Sequence, residues 1–591
     1  MEKKLLMGNE AIARGAIEGG VSFVSAYPGT PSSEIPKAVA EVADKYDIYM
    51  EYSTNEKVAF EVALGASWSN LRAMVTMKHV GLNVAADALM SSVYAGTEGG
   101  FVLISADDPS MHSSQNEQDS RCYAKFANMP CLDPTSPQDA KEMTIKAFEI
   151  SEKFKVPVMV RTTTRVSHSR GDVTMGDLKE KNEVNWERNP KRKVTLPANA
   201  RVFHPELLKK MQEAEKYFED SEFNWREGEG ELGIIASGIS YNYVKEALEY
   251  LDVDAEMLKL GTMHPLPRKT ILGFMKDHKK VIVVEEMEPV VETEAKKIAQ
   301  EEKIDVVIHG KDRLSRCYEY STMIVAKVLG ELMGRNITIP EKDVEKFMVP
   351  RPPVLCPGCP HRASYYALKK VAPDGIYPGD IGCYTLGALP PLEAVDTCFC
   401  MGGSIGISCG FSKALKDKKV IATIGDSTFF HTGIPAMVNG VYNNNDFTIF
   451  LLDNRTTAMT GHQPHPGTGK TGTGKDTNVI YPEKIAESIG VFTRVVDPYD
   501  IDETTEALKE AVGYDGVAMV VARRECALLV KKENPYRIDE GKCIKCSTCV
   551  DKLGCPAIVK EDDKIYIDEK FCTGCGVCAQ VCPVNAIEVI K

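Results

Sequence analysis

Eight cysteines crowd the end of the chain: Cys543-Ile-Lys-Cys546-Ser-Thr-Cys549, then Cys555-Pro556, then Cys572-Thr-Gly-Cys575-Gly-Val-Cys578 and Cys582-Pro583. Thiolates at C-x-x-C-x-x-C spacing, each run completed by a remote Cys-Pro, are the ligand set of two [4Fe-4S] clusters. A tight loop supplies three ligands and a distant segment the fourth. Cys543, Cys546, Cys549 and Cys582 therefore hold one cluster, and Cys572, Cys575, Cys578 and Cys555 the other. Disulfides would need an oxidising compartment, and zinc sites pair C-x-x-C motifs without the third cysteine or the Cys-Pro. Five residues separate Cys549 from Cys555, where the bacterial run has three. This reads as a loop inserted beside one cluster. A chain so equipped moves electrons singly.

A second group of residues fits phosphate and a hard cation. Gly425-Asp426-Ser427 directly follows the apolar run Val420–Ile424, and Asp453-Asn454 follows the next such run. A glycine turn after a strand lets backbone amides approach a diphosphate, and Mg²⁺ takes oxygen ligands such as Asp426, Asn454 and the carbonyl of Thr456. The pattern resembles the thiamine diphosphate signature, with Ser427 where glycine is usual and Asp453 where asparagine is usual. Upstream, Cys356-Pro-Gly-Cys359-Pro-His361 and Ile381-Gly-Cys383 resemble the start of the diphosphate-binding domain in 2-oxoacid:ferredoxin oxidoreductases. That resemblance implies a third [4Fe-4S] cluster near the thiamine, on Cys356, Cys359, Cys383 and Cys526, with Cys398, Cys400 and Cys409 competing for the fourth place.

The N-terminal segment Ala26-Tyr-Pro-Gly-Thr30-Pro-Ser-Ser-Glu34 resembles the opening of the pyrimidine-binding domain of the same family. The resemblance implies that Thr30 binds the 2-oxoacid carboxylate; the alternative is a proline-capped turn entering a helix. Asn55-Glu56-Lys57 resembles the segment bearing the family's essential glutamate, which makes Glu56 the choice over Glu51 or Glu61. A carboxylate there bonds the cofactor's aminopyrimidine and favours the tautomer that activates C2. In Lys78-His79-Val-Gly81-Leu-Asn83, His79 and Asn83 are expected to face the cofactor. Asp107, His112 and Arg121 lie in or after another strand-end loop, and Arg121 is the candidate for the substrate carboxylate.

These groups need rigid parallel sheets to hold them. Apolar runs at Val21–Val24, Met74–Met77, Phe101–Ile104 and Val156–Val160 alternate with amphipathic segments, as do Leu232–Ala236, Val281–Val284 and Val306–Ile308, and then Thr448–Leu452 and Ala518–Ala522. Such spacing predicts parallel α/β sheets. The charged stretch between about 168 and 230 reads as a connector with one helix. The expected fold is multidomain α/β. A pyrimidine-binding-type thiamine domain with connector occupies 1–190 and a transketolase C-terminal-like domain 191–345. A diphosphate-binding thiamine domain spans 346–534 and a two-cluster ferredoxin domain 535–591; both thiamine domains are doubly wound. Lys and Arg number 71 against 84 Asp and Glu, a net charge of −13 over 591 residues, which disfavours a nucleic-acid partner. No secretion signal or membrane span is legible, and eighteen cysteines in such a chain point to metal and a cytoplasmic home.

Taken together, the motifs and their order resemble the alpha subunits of indolepyruvate:ferredoxin oxidoreductases. The resemblance implies oxidative decarboxylation of arylpyruvates (indolepyruvate, phenylpyruvate, 4-hydroxyphenylpyruvate) to aryl-acetyl-CoA, with thiamine diphosphate, Mg²⁺, CoA as co-substrate and an external ferredoxin as acceptor. It also implies a smaller beta subunit and an α2β2 assembly. The irregular Cys549 to Cys555 spacer is then a candidate docking place for the ferredoxin. Two alternatives stand beside this: a non-oxidative thiamine decarboxylase, which the cluster-bearing tail opposes, and an electron relay with a vestigial thiamine fold, which Glu56, Asp426 and Asn454 oppose.

Overall fold

The computed structural model describes residues 2–335, 337, 348–349, 351–562 and 564–590. The chain divides into two compact units, residues 1–344 and 345–591; the domain boundary expected at 345 lies outside the described residues.

The first unit is built on a seven-stranded sheet. Phe23–Ala26, Tyr49–Tyr52, Ala73–Lys78, Phe101–Asp107 and Val158–Thr163 run parallel in it. All seven residues of Phe101–Asp107 are buried, as expected of a strand covered on both faces by helices. Strand Thr262–His264 completes this sheet by pairing antiparallel with Cys131–Leu132, although it comes from the segment read as the second domain. A five-stranded sheet follows, parallel at its centre through Leu232–Ser237, Glu256–Leu260 and Lys280–Val284. One apolar core, running from Ile12 to Ala299, packs both sheets. The stretch read as a connector is more ordered than expected. It contains strand Arg170–Thr174, paired with Lys3–Met7, and helix Pro197–Phe218, which buries Phe203, Leu207 and Met211.

In the second unit Ile421–Gly425, Phe447–Asp453, Val517–Arg523 and Phe492–Val496 form a four-stranded parallel sheet. The cysteine-rich tail adds two small hairpin-like pairs, Tyr536–Ile538 with Ile587–Val589 and Ile558–Glu561 with Lys564–Ile567. Its apolar core also takes in Ala363 and Ile501, so the tail folds against the diphosphate-type domain.

Arg121 corrects the sequence reading. It is 1% exposed, and its guanidinium holds Asp119 through Nε at 2.9 Å and Nη2 at 2.6 Å, Glu285 through Nη1 at 2.8 Å, and the carbonyls of Glu286 and Glu288. With its donors spent on partners from both sheets, it has none for a substrate carboxylate. Asp107 is likewise structural, gripping Arg161 at 2.7 Å and Ser120, and His112 pairs with Glu319. Removing one partner of a buried ion pair costs about 3–5 kcal/mol. Arg121→Ala should therefore lower the melting temperature sharply in a thermal scan of the purified protein; an unchanged melting temperature with lost turnover would restore the substrate role.

Candidate active site and cluster-binding cysteines

In the first unit four neighbouring parallel strands deliver their following segments to one edge. Thr30 follows Phe23–Ala26, Glu56 follows Tyr49–Tyr52, Lys78 and His79 close Ala73–Lys78, and Asp108 and Ser113 follow Phe101–Asp107. Glu56 is the first residue of helix Glu56–Trp68, whose cap Asn55 accepts from the Val58 N–H at 2.9 Å. It is 5% exposed. Gly81 leaves room for it, since a Cβ there would stand 2.5 Å from Glu56 Oε1. Glu51 is occupied by Tyr49 and Ser53, and Glu61 by Lys57 on an exposed helix face. The Thr30 carbonyl accepts from Ser113 Oγ at 3.1 Å.

Lys78 belongs to the segment expected at the cofactor, although His79 and Asn83 are the residues chosen from it. Lys78 is 8% exposed, lies along Gly29, and donates Nζ to the Ser113 carbonyl at 2.9 Å. Burial pulls its pKa down to about 8 against the opposing pull of Asp108 and Glu56. Burial would raise Asp108, but hydrogen bonds from Ser114, the Ser113 N–H and Thr164 hold it below the usual carboxylate range. Its neighbour His79 is buried, donates Nε2–H to the Asn116 carbonyl at 3.2 Å, and has no partner for Nδ1 among the described residues. Asn83 is not at this edge. One helical turn further on, it is exposed and engaged by Gln118 and the Tyr123 hydroxyl.

The second unit repeats the arrangement. Gly425-Asp426-Ser427 leaves strand Ile421–Gly425, Asp453-Asn454 leaves Phe447–Asp453, and Cys526 follows Val517–Arg523. Gly425 is required by packing, because a Cβ would meet the Tyr384 ring at 2.6 Å. Ser427 donates its N–H to Asp426 Oδ1 at 2.9 Å and its hydroxyl accepts from Thr457 at 3.0 Å, so it fills the usual glycine position without strain. Asp426 Oδ2 accepts from His465 Nε2 at 2.9 Å, while the Gly467 N–H bonds His465 Nδ1 at 3.1 Å and so sets the tautomer. Burial opposes the Asp426 charge, but His465 keeps its pKa below the ordinary value. Burial, helped by Asp426, pushes Asp453 up to about 7 even though Arg523 Nε donates to it at 2.6 Å. Asn454 Oδ1 accepts from the Thr456 N–H at 3.2 Å, and the Asn454 carbonyl accepts from the Cys526 N–H at 3.1 Å. The set is rich in hard oxygens, and buried His462 Nδ1 beside it lacks a partner among the described residues. These residues fit a cation-held diphosphate.

Asn454 and His462 line one cavity together with Cys356, Cys359, Cys383 and Cys526. The structure thus gathers the four thiols from segments far apart in sequence. Cys409 is instead packed in the apolar core, and Cys398 and Cys400 are not among the residues lining this cavity. Burial pushes the Cys359 thiol up to about 12 and Cys383 to about 11, so a metal bound there would have to displace protons. In the tail, Cys543, Cys546, Cys549 and Cys582 line a second cavity, and Cys578 belongs to a core against which Cys555, Cys572 and Cys575 pack. Among the described residues no three His, Cys, Asp or Glu side chains close on a single-ion site. The Cys549 to Cys555 spacer does not turn outward as a docking loop along its length: Asp551 and Lys552 are exposed, but Leu553 is buried.

Comparison with known proteins gives the family. Residues 14–227 match the thiamine diphosphate-binding domain of pyruvate flavodoxin/ferredoxin oxidoreductases, and 223–345 match the indolepyruvate oxidoreductase domain. Residues 380–522 match the C-terminal TPP-binding domain of thiamine pyrophosphate enzymes, and 565–588 the 4Fe-4S binding domain. Indolepyruvate oxidoreductase subunit IorA of Thermococcus kodakarensis is 50% identical over 631 aligned positions, covering 100% of this chain and 97% of that protein. The IorA of Archaeoglobus fulgidus is 48% identical, with 100% and 98% covered. The chain belongs to the IorA family. A 2-oxoglutarate:ferredoxin oxidoreductase from Magnetococcus marinus matches 56% of this chain and 65% of its own at 18% identity and a TM-score of 0.46.

An IorA chain carries thiamine-binding and 4Fe-4S domains, and the two edges described above lie within them. Gly81 is the signal that could have led from sequence to the Glu56 pocket, because glycine inside a helix costs about 1 kcal/mol relative to alanine. Gly81→Ala should displace Glu56 and depress turnover with the helix intact. Gly65→Ala, where nothing lies within 4 Å of the added carbon, should leave turnover unchanged and raise the melting temperature slightly. Equal activity in the two variants would remove the Gly81–Glu56 fit from the site.

Proposed function

We propose that this subunit carries out the oxidative decarboxylation of arylpyruvates to aryl-acetyl-CoA and CO₂, passing the electrons to ferredoxin. The observation that carries this reading is the shared cavity of Asn454 with Cys356, Cys359, Cys383 and Cys526. Four thiols in one cavity with a residue suited to a cation and diphosphate support an electron acceptor beside the reacting centre, which a decarboxylase releasing an aldehyde does not need. When bound, thiamine diphosphate supplies the carbanion chemistry at the 2-oxo carbon.

Glu56 holds the proton at the aminopyrimidine of that cofactor, and Lys78 keeps a positive charge beside it. Thr30 orients the substrate carboxylate. Asp426, Asn454 and the Thr456 carbonyl hold Mg²⁺, and His465 orients Asp426 from behind, as outer-shell partners of metal ligands do. Cys356, Cys359, Cys383 and Cys526 hold a proximal cluster, and the two tail quartets hold the clusters that lead away from it. These roles are divided among four domains, at 1–190, 191–345, 346–534 and 535–591. The relatives' designation as a subunit supports a partner chain, which we take to be a smaller beta subunit in an α2β2 assembly in the cytoplasm. Among the described residues no helix is long and apolar enough to cross a membrane.

The pair co-expressed under anaerobic conditions should reduce a low-potential dye with indolepyruvate, phenylpyruvate and 4-hydroxyphenylpyruvate, only when CoA is present. Aldehyde release without dye reduction would replace this reading with the decarboxylase; inactivity with every 2-oxoacid would replace it with the relay. His465→Ala should raise the Mg²⁺ concentration needed for half-maximal cofactor binding by about 10–100-fold, measured by quenching of protein fluorescence. An unchanged titration would take His465 out of the metal's support.

A further inference from the structure

Arg362 is 5% exposed and stands in the first turn of helix Pro360–Val371, which Cys359 caps. Its Nε donates to the Cys356 carbonyl at 3.2 Å and its Nη2 to the Leu355 carbonyl. Its Nη1 donates to the carbonyls of Gly554 at 2.5 Å and Leu553 at 3.3 Å. One guanidinium therefore ties the Cys356–Cys359 turn to the two residues that lead into Cys555. Those two residues belong to the lengthened spacer. Gly554 adopts φ +62°, and a Cβ on it would stand 2.6 Å from the Pro391 ring, so the inner end of the spacer is fitted to this place. A second tie lies nearby: the Tyr499 hydroxyl donates to the Gly358 carbonyl, and Gln580 in the tail bonds the Tyr499 carbonyl at 2.7 Å.

A buried charge is costly unless an opposite charge faces it. Among the described residues no carboxylate does so for Arg362; the groups of opposite potential charge are Cys555, Cys359 and Cys356. Four backbone carbonyls satisfy its donors but bring no net charge. Thiolate-held clusters do, and each gains one further negative charge on reduction. Net charge and hydrogen bonding around a cluster set its potential.

We propose that Arg362 is a positioning residue for electron transfer between the cluster of Cys356, Cys359, Cys383 and Cys526 and the cluster of Cys555, Cys572, Cys575 and Cys578. Its hydrogen bonds fix the two ligand sets against each other, and its charge raises the reduction potential of both. In the step it serves, one electron leaves the reduced proximal cluster, which returns to its oxidised state, and enters the second cluster, which becomes reduced; no bond is made or broken. The inference rests on the proximal cluster of the preceding section.

The test uses the anaerobic holoenzyme with its partner subunit, comparing wild type, Arg362→Gln and Arg362→Lys by iron analysis, EPR-monitored redox titration and stopped-flow reduction by indolepyruvate. Arg362→Gln should keep its iron, lower the midpoint potentials of both neighbouring clusters, and slow reduction of the tail clusters about tenfold, the size expected from losing one charge-assisted interaction. Arg362→Lys should restore the potentials toward wild type. Full iron with unchanged potentials in the glutamine variant would overturn the proposal. Loss of iron from both variants, with wild type intact, would also overturn it and leave Arg362 a scaffold residue. If the glutamine variant alone loses iron, the lysine variant decides: potentials near wild type support the role of charge, and potentials clearly displaced overturn it. Wild type lacking a third cluster signal would instead remove the proximal cluster itself.

Discussion

Parallel strands end on one edge of their sheet, and that constraint brings the chemistry-bearing residues together in each unit. Thr30, Glu56, Lys78 and Asp108 belong to four separate strand–helix connections, yet adjacent parallel strands carry them to one edge. Asp426, Asn454 and Cys526 are assembled in the same way by three neighbouring strands. The sheets themselves are rigid because their central strands are buried throughout, as in Phe447–Asp453. Loops can then carry polar and ionisable residues on a scaffold that does not yield.

How much of this was legible in the sequence depended on the range of the interaction. Cysteine spacing reads directly because residues in a tight loop are neighbours in the chain, and Cys543, Cys546, Cys549 and Cys582 share one cavity of the tail. Most of the central strands were legible from their apolar runs, within a residue or three of the observed ends, but Glu256–Leu260, whose run is broken by Lys259, was not. Strand Thr262–His264 was not, because its reason for being a strand is Cys131–Leu132, across more than a hundred residues. Arg121 failed for the same reason: its partners Glu285 and Glu286 belong to another sheet, and a lone arginine after a strand carries no mark of them. The segment Lys78–Asn83 shows a finer limit. Sequence placed it at a strand's carboxyl end, but which side chain turns inward depends on the helix phase, and it is Lys78 that lies over Gly29 while Asn83 faces solvent.

Arg121 and Arg362 are both buried arginines bound to several backbone carbonyls, and the charges facing them separate their roles. Arg121 meets two carboxylates, Asp119 and Glu285. Its charge is balanced inside the protein, so its work is complete once the chain has folded. Arg362 meets backbone carbonyls, and the groups that could oppose its charge are thiols, so its charge would be balanced if those thiols were ionised on a metal. Burial that raises the Cys359 thiol also disfavours the charge of Arg362, so thiolate and guanidinium would each be stabilised by the presence of the other. Iron bound there would keep the thiolates ionised and so favour the charged arginine. The lengthened spacer before Cys555 takes its meaning from this coupling. Leu553 and Gly554 give the tail the reach to place carbonyls on Arg362, and what looked in the sequence like a surface irregularity is, at its inner end, part of the joint between two cysteine sites.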